Sequence, residues 1–295
     1  MKLIQLVLPL FLLQSCLAQP AEKIPTNKDD NTLLWEISGN RLSRPSYLFG
    51  TFHLMCKEDI RFSSGLKAAI KDAGEVYFEM DLDDPSNTLG ALFFMNMKDS
   101  KALKDLYTEA EYTRLKTFFE DSLGMQLTLF QRIKPNFLEA FLYPKMMPCK
   151  TMSGVEEELM KIAKEQKKEI RGFETIQFQA AVFDSIPYTS QAKDLLKTID
   201  SMDMYKKYFD TMLNVYKTQQ LSEMENMFSK SEFGMEENQD LLLDNRNKNW
   251  VEMLNKILPE KNIFIAVGAG HLVGEKGLIS LLRKAGYTLK PLLNE

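Results

Sequence analysis

Histidine is nearly absent from this chain. Its 295 residues hold two, His53 and His271, so any imidazole chemistry rests on those positions. No H-E-x-x-H helix is present, which excludes the ordinary zincin arrangement. Cysteine is scarce as well. Cys16, Cys56 and Cys149 are too few for a disulfide-built scaffold. Charge of neither sign dominates: 37 basic and 41 acidic side chains leave a net charge of −4, and no basic surface is available for nucleic acid. Beyond the N-terminus no stretch is apolar enough to cross a membrane.

The one marked apolar run, Leu3–Leu13, follows Met1-Lys2 and is shorter than the roughly 20 residues a spanning helix needs. Residues 1–18 therefore read as a signal peptide. "LQSC" (Leu13–Cys16) has the form of a bacterial lipobox with Cys16 as the lipidated residue, and cleavage after Ala18 is the alternative. Residues 19–31, "QPAEKIPTNKDDN", are polar and unpatterned and read as a tether. The expected product is an exported single domain over residues 32–295, long enough for one large core. It would be a periplasm-facing or cell-surface lipoprotein with a lipid anchor in the membrane, or a soluble exported protein. Outside the cytoplasm Cys56 and Cys149 either pair or remain separate thiols. Cys56 also lies three residues after His53, a spacing that could bring sulfur near a metal there.

Both ends of the domain carry α/β patterning. "LLWEISG" (Leu33–Gly39) and "SYLFGTFH" (Ser46–His53) read as a hairpin across the turn-forming "NRLSRP". Ser63–Gly74 predicts a helix and Glu75–Leu82 a strand. Near the C-terminus, Asn262–His271 predicts a buried strand, Glu275–Gly286 a helix, and "YTLKPLL" a last strand. Between about residues 89 and 249 the period is helical, as in "VEEELMKIAKEQKK" and Tyr205–Phe228. Thirteen of the 17 methionines lie between Met95 and Met235, which suits irregular core filling or, less often, an adaptable binding groove. The expected fold is α/β (α+β): a mixed central sheet formed by both chain ends, with the helical insertion as a cap.

Each histidine ends an apolar run and stands three residues after a glycine, in Gly50-Thr-Phe-His53 and Gly268-Ala-Gly-His271, 218 residues apart. Strand ends at one sheet edge are where α/β folds bind ligands. Glu79 leaves its own strand among apolar residues and is expected at the same edge. Two imidazoles and a carboxylate make an open metal shell with room for an activated water. They equally make a metal-free base, acid and orienting group.

These motifs resemble the TraB/GumN family, the pheromone-shutdown and Tiki group, over nearly the whole mature chain. The two G-x-x-H motifs are joined by the glutamate strand "VYFEMDL" and by "GFETIQFQ", with Glu174 and Gln179. An "RN..W" stretch follows, with Arg246, Asn247 and Trp250, and "GVEEELMKIAKEQKKEI" carries Glu156 where aspartate is commoner. The resemblance implies an α/β core with helical insertions, distantly similar to erythromycin esterase, and, from its Tiki members, metal-dependent proteolysis.

On that footing His53, Glu79 and His271 are the expected ligands of a divalent metal, Mn²⁺ or Co²⁺ by resemblance and Zn²⁺ by chemistry. Glu174 is the candidate general base, a fourth ligand, or the salt-bridge partner of Arg246. Arg246 binds a substrate carboxylate, stabilises an oxyanion, or pairs with Asp244 or Glu174. Gln179 is a candidate substrate contact, and Trp250 packing. The expected activity is hydrolysis of a peptide or a small ester or amide. The alternatives are a metal-free esterase using one histidine as base with Glu79 orienting it, and a non-enzymatic lipoprotein that captures peptide in the cap.

Overall fold

In the computed structural model, which describes residues 30–81, 83–84, 90, 93–229 and 238–294, both chain ends share one sheet. The strands are β1 (Leu34–Gly39), β2 (Ser46–Thr51), β3 (Met55–Cys56), β4 (Glu75–Met80), β5 (Met152–Ser153), β6 (Glu169–Glu174), β7 (Ile263–Gly268) and β8 (Tyr287–Pro291). Six of them form a mixed sheet in the order β6-β4-β7-β2-β1-β8, and β3 pairs with β5 in a separate ribbon. The hairpin β1–β2 is antiparallel, whereas β2, β7, β4 and β6 run parallel. The expected signal peptide, Cys16 and tether residues 19–29 lie outside the described residues, as do Leu82, Leu89 and Met235.

Central position explains the composition of β7. "IFIAVG" has no polar alternation because Ile263 through Val267 are completely buried, the pattern of a parallel strand covered on both faces. β6 is the opposite case. Ile170 and Phe173 are buried, while Glu169 and Arg171 are exposed, as suits an edge strand protected by charge. With β5, this strand interrupts the helical insertion expected over about residues 89–249. The short, charged "EIRGFE" has little apolar signal, yet it returns the chain to the sheet mid-insertion.

The main helices are α1 (Ser64–Asp72), α2 (Glu109–Thr117), α3 (Val155–Glu165), α4 (Ile176–Ser185), α5 (Tyr188–Asp200), α6 (Met202–Lys217), α7 (Leu221–Ser229), α8 (Asn245–Ile257) and α9 (Leu278–Lys284). Tyr205–Phe228, which reads as one helix, is two. Gln219 takes a φ of +57° between α6 and α7, and its side chain accepts from the Leu33 amide and donates to the Asn294 carbonyl.

One apolar cluster surrounds the sheet. A second, with Leu103, Phe119, Leu138 and Leu195, fills the helical region, and Tyr143 packs against both. Methionines serve both: Met97 and Met146 are buried in the helical cluster, Met147 and Met224 in the main one. Met152 and Met160 pack against the main cluster and also line a cavity.

Cys56 and Cys149 form a disulfide with a Cα separation of 5.8 Å. It closes a sequence separation of 93 residues and holds β3 beside the segment leading to β5. Loop-closure entropy assigns such a crosslink roughly 4–5 kcal/mol. Replacing both cysteines by alanine should therefore lower the unfolding free energy obtained from urea titration by about that amount, with a lower midpoint, and reduction of the wild type should reproduce the loss. An unchanged midpoint would show that the bridge does not stabilise the fold.

Candidate active site

Parallel pairing of β2 with β7 puts Thr51 opposite Gly268, so the two G-x-x-H segments leave the sheet at one edge. Neither histidine lies on a strand. His53 is two residues beyond β2, and His271 closes a 3₁₀ turn, Ala269–His271, after β7. β4 runs parallel on the other side of β7 and delivers Glu79. Gly268 stands at the junction. A Cβ there would come within 3.2 Å of Glu79 Oε1, 3.6 Å of His53 Nε2 and 3.7 Å of His271 Cδ2. Its φ of −49° is open to any residue; what the position needs is the missing side chain.

Each imidazole is held through Nδ1. His53 Nδ1 lies 2.7 Å from Glu156 Oε1, which also accepts from Thr51 Oγ1 at 2.6 Å. A carboxylate oxygen accepts, so Nδ1 carries the proton and Nε2 is left towards the cavity. His271 Nδ1 lies 2.7 Å from Asn247 Oδ1. The Asn247 Nδ2 end faces two carbonyls, Lys276 at 2.9 Å and His271 at 3.4 Å, which fixes the amide orientation and the His271 tautomer with Nε2 unprotonated. Anchoring Nδ1 to orient the ring and free Nε2 is how proteins prepare metal-ligating histidines.

The two rings differ in electrostatics. His271 is buried, with Trp250 at a ring-centroid distance of 4.4 Å. Burial pushes its pKa down to about 3 despite Glu79, so it is neutral. The His53 side chain is 74% accessible from the cavity. Surrounding protein opposes its charge, but the Glu156 hydrogen bond and charge outweigh this and raise its pKa to about 9. Burial likewise opposes the Glu79 carboxylate, while His271, Arg246, His53 and the Gly268 amide hold it ionised, down to about 2. Since buried His271 is neutral, Arg246 is the permanent cation among these.

Arg246 occupies the centre. Its Nε donates to Glu174 Oε1 at 2.9 Å, and Nη2 donates to Glu174 Oε2 at 2.8 Å and Glu79 Oε2 at 2.6 Å. Nη1 donates to the Leu242 carbonyl at 2.8 Å and faces His271 Nε2 at 3.3 Å. All five guanidinium N–H groups thus have partners, and the group stacks on Trp250 at 4.9 Å. The Leu242 carbonyl comes from a π-helical segment, Asp240–Asp244, just before α8.

Glu174, 4% exposed, also accepts from Trp250 Nε1 and Gln179 Nε2. Of its expected roles, the structure places it in the salt bridge. Surrounded by donors, it has no oxygen presented as a general base. Asp244 pairs instead with Lys276.

A cavity of about 610 Å³ opens onto this cluster. His53, Glu79, Arg246 and Gln179 reach it together with Glu156; His271 and Glu174 lie behind. The donor types of His53 Nε2, His271 Nε2 and Glu79 suit a divalent ion of the Zn²⁺ type, although the three donor atoms do not all lie within 4.8 Å of one another, so a shared ion would draw them together. Arg246 contacts two of those donors. Among the described residues, only Cys56, Glu58 and Cys149 bring three candidate ligand atoms within 4.8 Å of one another, and that pair of sulfurs is spent on the disulfide.

For two residues named in the sequence, the partner emerges only from the coordinates. Glu156 is one of three consecutive glutamates, and the sequence does not tell which faces His53. Asn247 was marked by "RN..W", though nothing in the sequence linked it to His271.

A chain with two histidines gives two imidazole Hε1 resonances. One should titrate with a midpoint near 9 and the other should stay neutral from pH 5 to 10. Glu156→Gln removes the charge that holds the His53 proton, so the high midpoint should fall towards 6.5 or below. Two ordinary midpoints in the wild type would contradict these assignments.

No solved structure matches the chain. The chain is 24% identical to the metalloprotease TIKI1 of Danio rerio, over 89% of this chain and 63% of that protein. It is 25% identical to the metalloprotease TIKI2 of Xenopus tropicalis, over 90% of this chain and 61% of that protein. It therefore spans less than two thirds of the length of these relatives. The uncharacterized protein YbaP of Shigella flexneri is 23% identical over 82% of this chain and 89% of its own length. The model of the TraB/PrgY/gumN family matches residues 33–291, and the chain belongs to that family.

Proposed function

We propose that the chain is a hydrolase of amide or ester bonds, with His53, Glu79 and His271 as the ligands of a divalent metal. The observation that carries this reading is the paired Nδ1 anchoring of His53 by Glu156 and His271 by Asn247, which leaves Nε2 of each ring for a metal, the ion displacing the Nε2 proton of His53. Its distant similarity to proteins named as metalloproteases supports the reaction class. When bound, the metal would supply Lewis-acid activation of water. The chain's own groups do the rest. Glu156 and Thr51 orient His53, Arg246 fixes Glu79 and His271 and brings positive charge to the cavity edge, and Gln179 lines the substrate side. Because every Arg246 N–H is engaged, the guanidinium acts on developing negative charge through its field, or by giving up the long contact to His271.

A second reading rests on a specific observation. His53 is the histidine open to the cavity, and Glu156 stands behind it as a carboxylate stands behind a catalytic base, the base form being populated as the pH approaches its pKa of about 9. The orienting group is then Glu156, whereas Glu79 is bound to Arg246 and the Gly268 amide.

We also place the chain outside the cytoplasm, held in the membrane by a lipid on Cys16. The Cys56–Cys149 disulfide supports an oxidising compartment.

Elemental analysis of purified protein, with assays on p-nitrophenyl esters and peptide libraries, tests the reaction. Under the first reading one equivalent of metal co-purifies, and His53→Ala or His271→Ala loses both metal and activity. Activity that survives chelation but falls roughly 10²-fold in Glu156→Gln favours the second reading. Hydrolysis of nothing by metal-loaded wild type sinks both. For the anchor, Cys16→Ser should move the protein from the membrane to the soluble fraction; persistence in the membrane would refute it.

A further inference from the structure

β5 has one partner strand and one open edge. Met55 faces Ser153 and Cys56 faces Met152 in its antiparallel pairing with β3, and the Lys57 amide donates to the Thr151 carbonyl at 3.0 Å. In an antiparallel ladder, bonded pairs alternate with pairs whose N–H and C=O point away from each other. The Lys57–Thr151 bond makes positions 57/151 and 55/153 the bonded pairs. Met152 therefore turns its N–H and C=O to the opposite edge. Gly154, extended at φ −81° and ψ 143°, presents its N–H on that same edge, while its carbonyl accepts from Glu158 at the start of α3. Among the described residues none pairs with these three groups, and Met152 and Gly154 line the cavity beside His53.

A donor, an acceptor and a second donor, spaced about 3.3–3.4 Å per residue along an edge, match another extended main chain. A small ester cannot span them. The apolar side chains that line the same cavity, Met160, Val182, Phe183 and Leu242, can take the alternate side chains such a strand projects. The edge is also fixed relative to the histidine. The Val155 amide donates to the Phe52 carbonyl at 3.0 Å, and a Cβ on Gly154 would meet the His53 carbonyl oxygen at 2.7 Å.

We propose that the substrate is an unstructured peptide segment bound as a third strand on β5, with its main chain on Met152 and Gly154 and an apolar side chain in the cavity. This rests on the hydrolase reading and adds to it the substrate class and the groups that set its register.

The test uses a leucine-containing synthetic decapeptide, a set of single backbone N-methyl versions of it, and p-nitrophenyl acetate as a probe too small to pair. With wild type, N-methylation at alternate positions should lower kcat/KM about tenfold or more, while the intervening positions change little. In His53→Ala, which holds peptide without turnover, the decapeptide should shift the Met152 and Gly154 amide resonances and slow their hydrogen exchange. Ester hydrolysis with no peptide cleavage and no amide protection overturns strand addition and leaves the hydrolase reading standing. Amide protection without hydrolysis of either probe does the reverse, and neither effect overturns both. Peptide cleavage with no period-two dependence on N-methylation also overturns strand addition.

Discussion

The parallel pairing of β2 with β7 is the contact on which the site depends. It joins segments from opposite ends of the chain and sets Thr51 against Gly268, so that both histidines emerge together. β7 also receives β4 on its other side, and the Gly268 amide donates directly to Glu79 Oε1 at 2.9 Å. A slip of one residue in either ladder would reverse the facing of every side chain and separate the three groups. Because Ile263–Val267 are packed on both faces, such a slip would exchange side chains of unlike size, such as Phe264 and Ala266 with Ile265 and Val267, between close-packed surroundings and leave clashes and voids.

Around that junction the charges are arranged so that one histidine is buried and neutral and the other open and cationic. Arg246 pairs with two nearly buried carboxylates, Glu79 and Glu174, which leaves the trio one negative charge in excess, and is itself 11% exposed. Removing one partner from a set like this leaves an uncompensated buried charge. The cluster is therefore expected to behave as a unit. Trp250 links its members by stacking on Arg246 and His271 and donating to Glu174. His53 is held separately, by a clamp made of the β3–β5 ribbon, the disulfide and the first turn of α3. That division lets the ribbon both fix the His53–Glu156 pair and offer an edge to a substrate.

Much of this was legible in the sequence. Two histidines in repeated G-x-x-H contexts, each after an apolar run, point to one sheet edge, and the structure brings them to Gly268 together with Glu79. The mixed sheet built from both chain ends was legible for the same reason, because buried strands such as "IFIAVG" carry a strong apolar signal. β6 was not, because an edge strand need bury only alternate residues and can be charged on the rest. The clamp was hidden too. The disulfide was one of two open outcomes for Cys56 and Cys149, and the choice of Glu156 among three neighbouring glutamates follows from a hydrogen bond between residues 103 positions apart. Arg246 was visible as a charged site residue, but its saturation by five acceptors depends on α8, the π-helical segment, β4 and β6 meeting at one point.

That His53, His271 and Glu79 hold one ion is tested most directly by anomalous scattering from crystals grown with Zn²⁺. The expected result is a single strong peak within bonding distance of His53 Nε2, His271 Nε2 and the Glu79 carboxylate, with Arg246 displaced from at least one of its two contacts there. Crystals showing no peak at that position under saturating metal, with Arg246 still bound to Glu79 and His271, would contradict it.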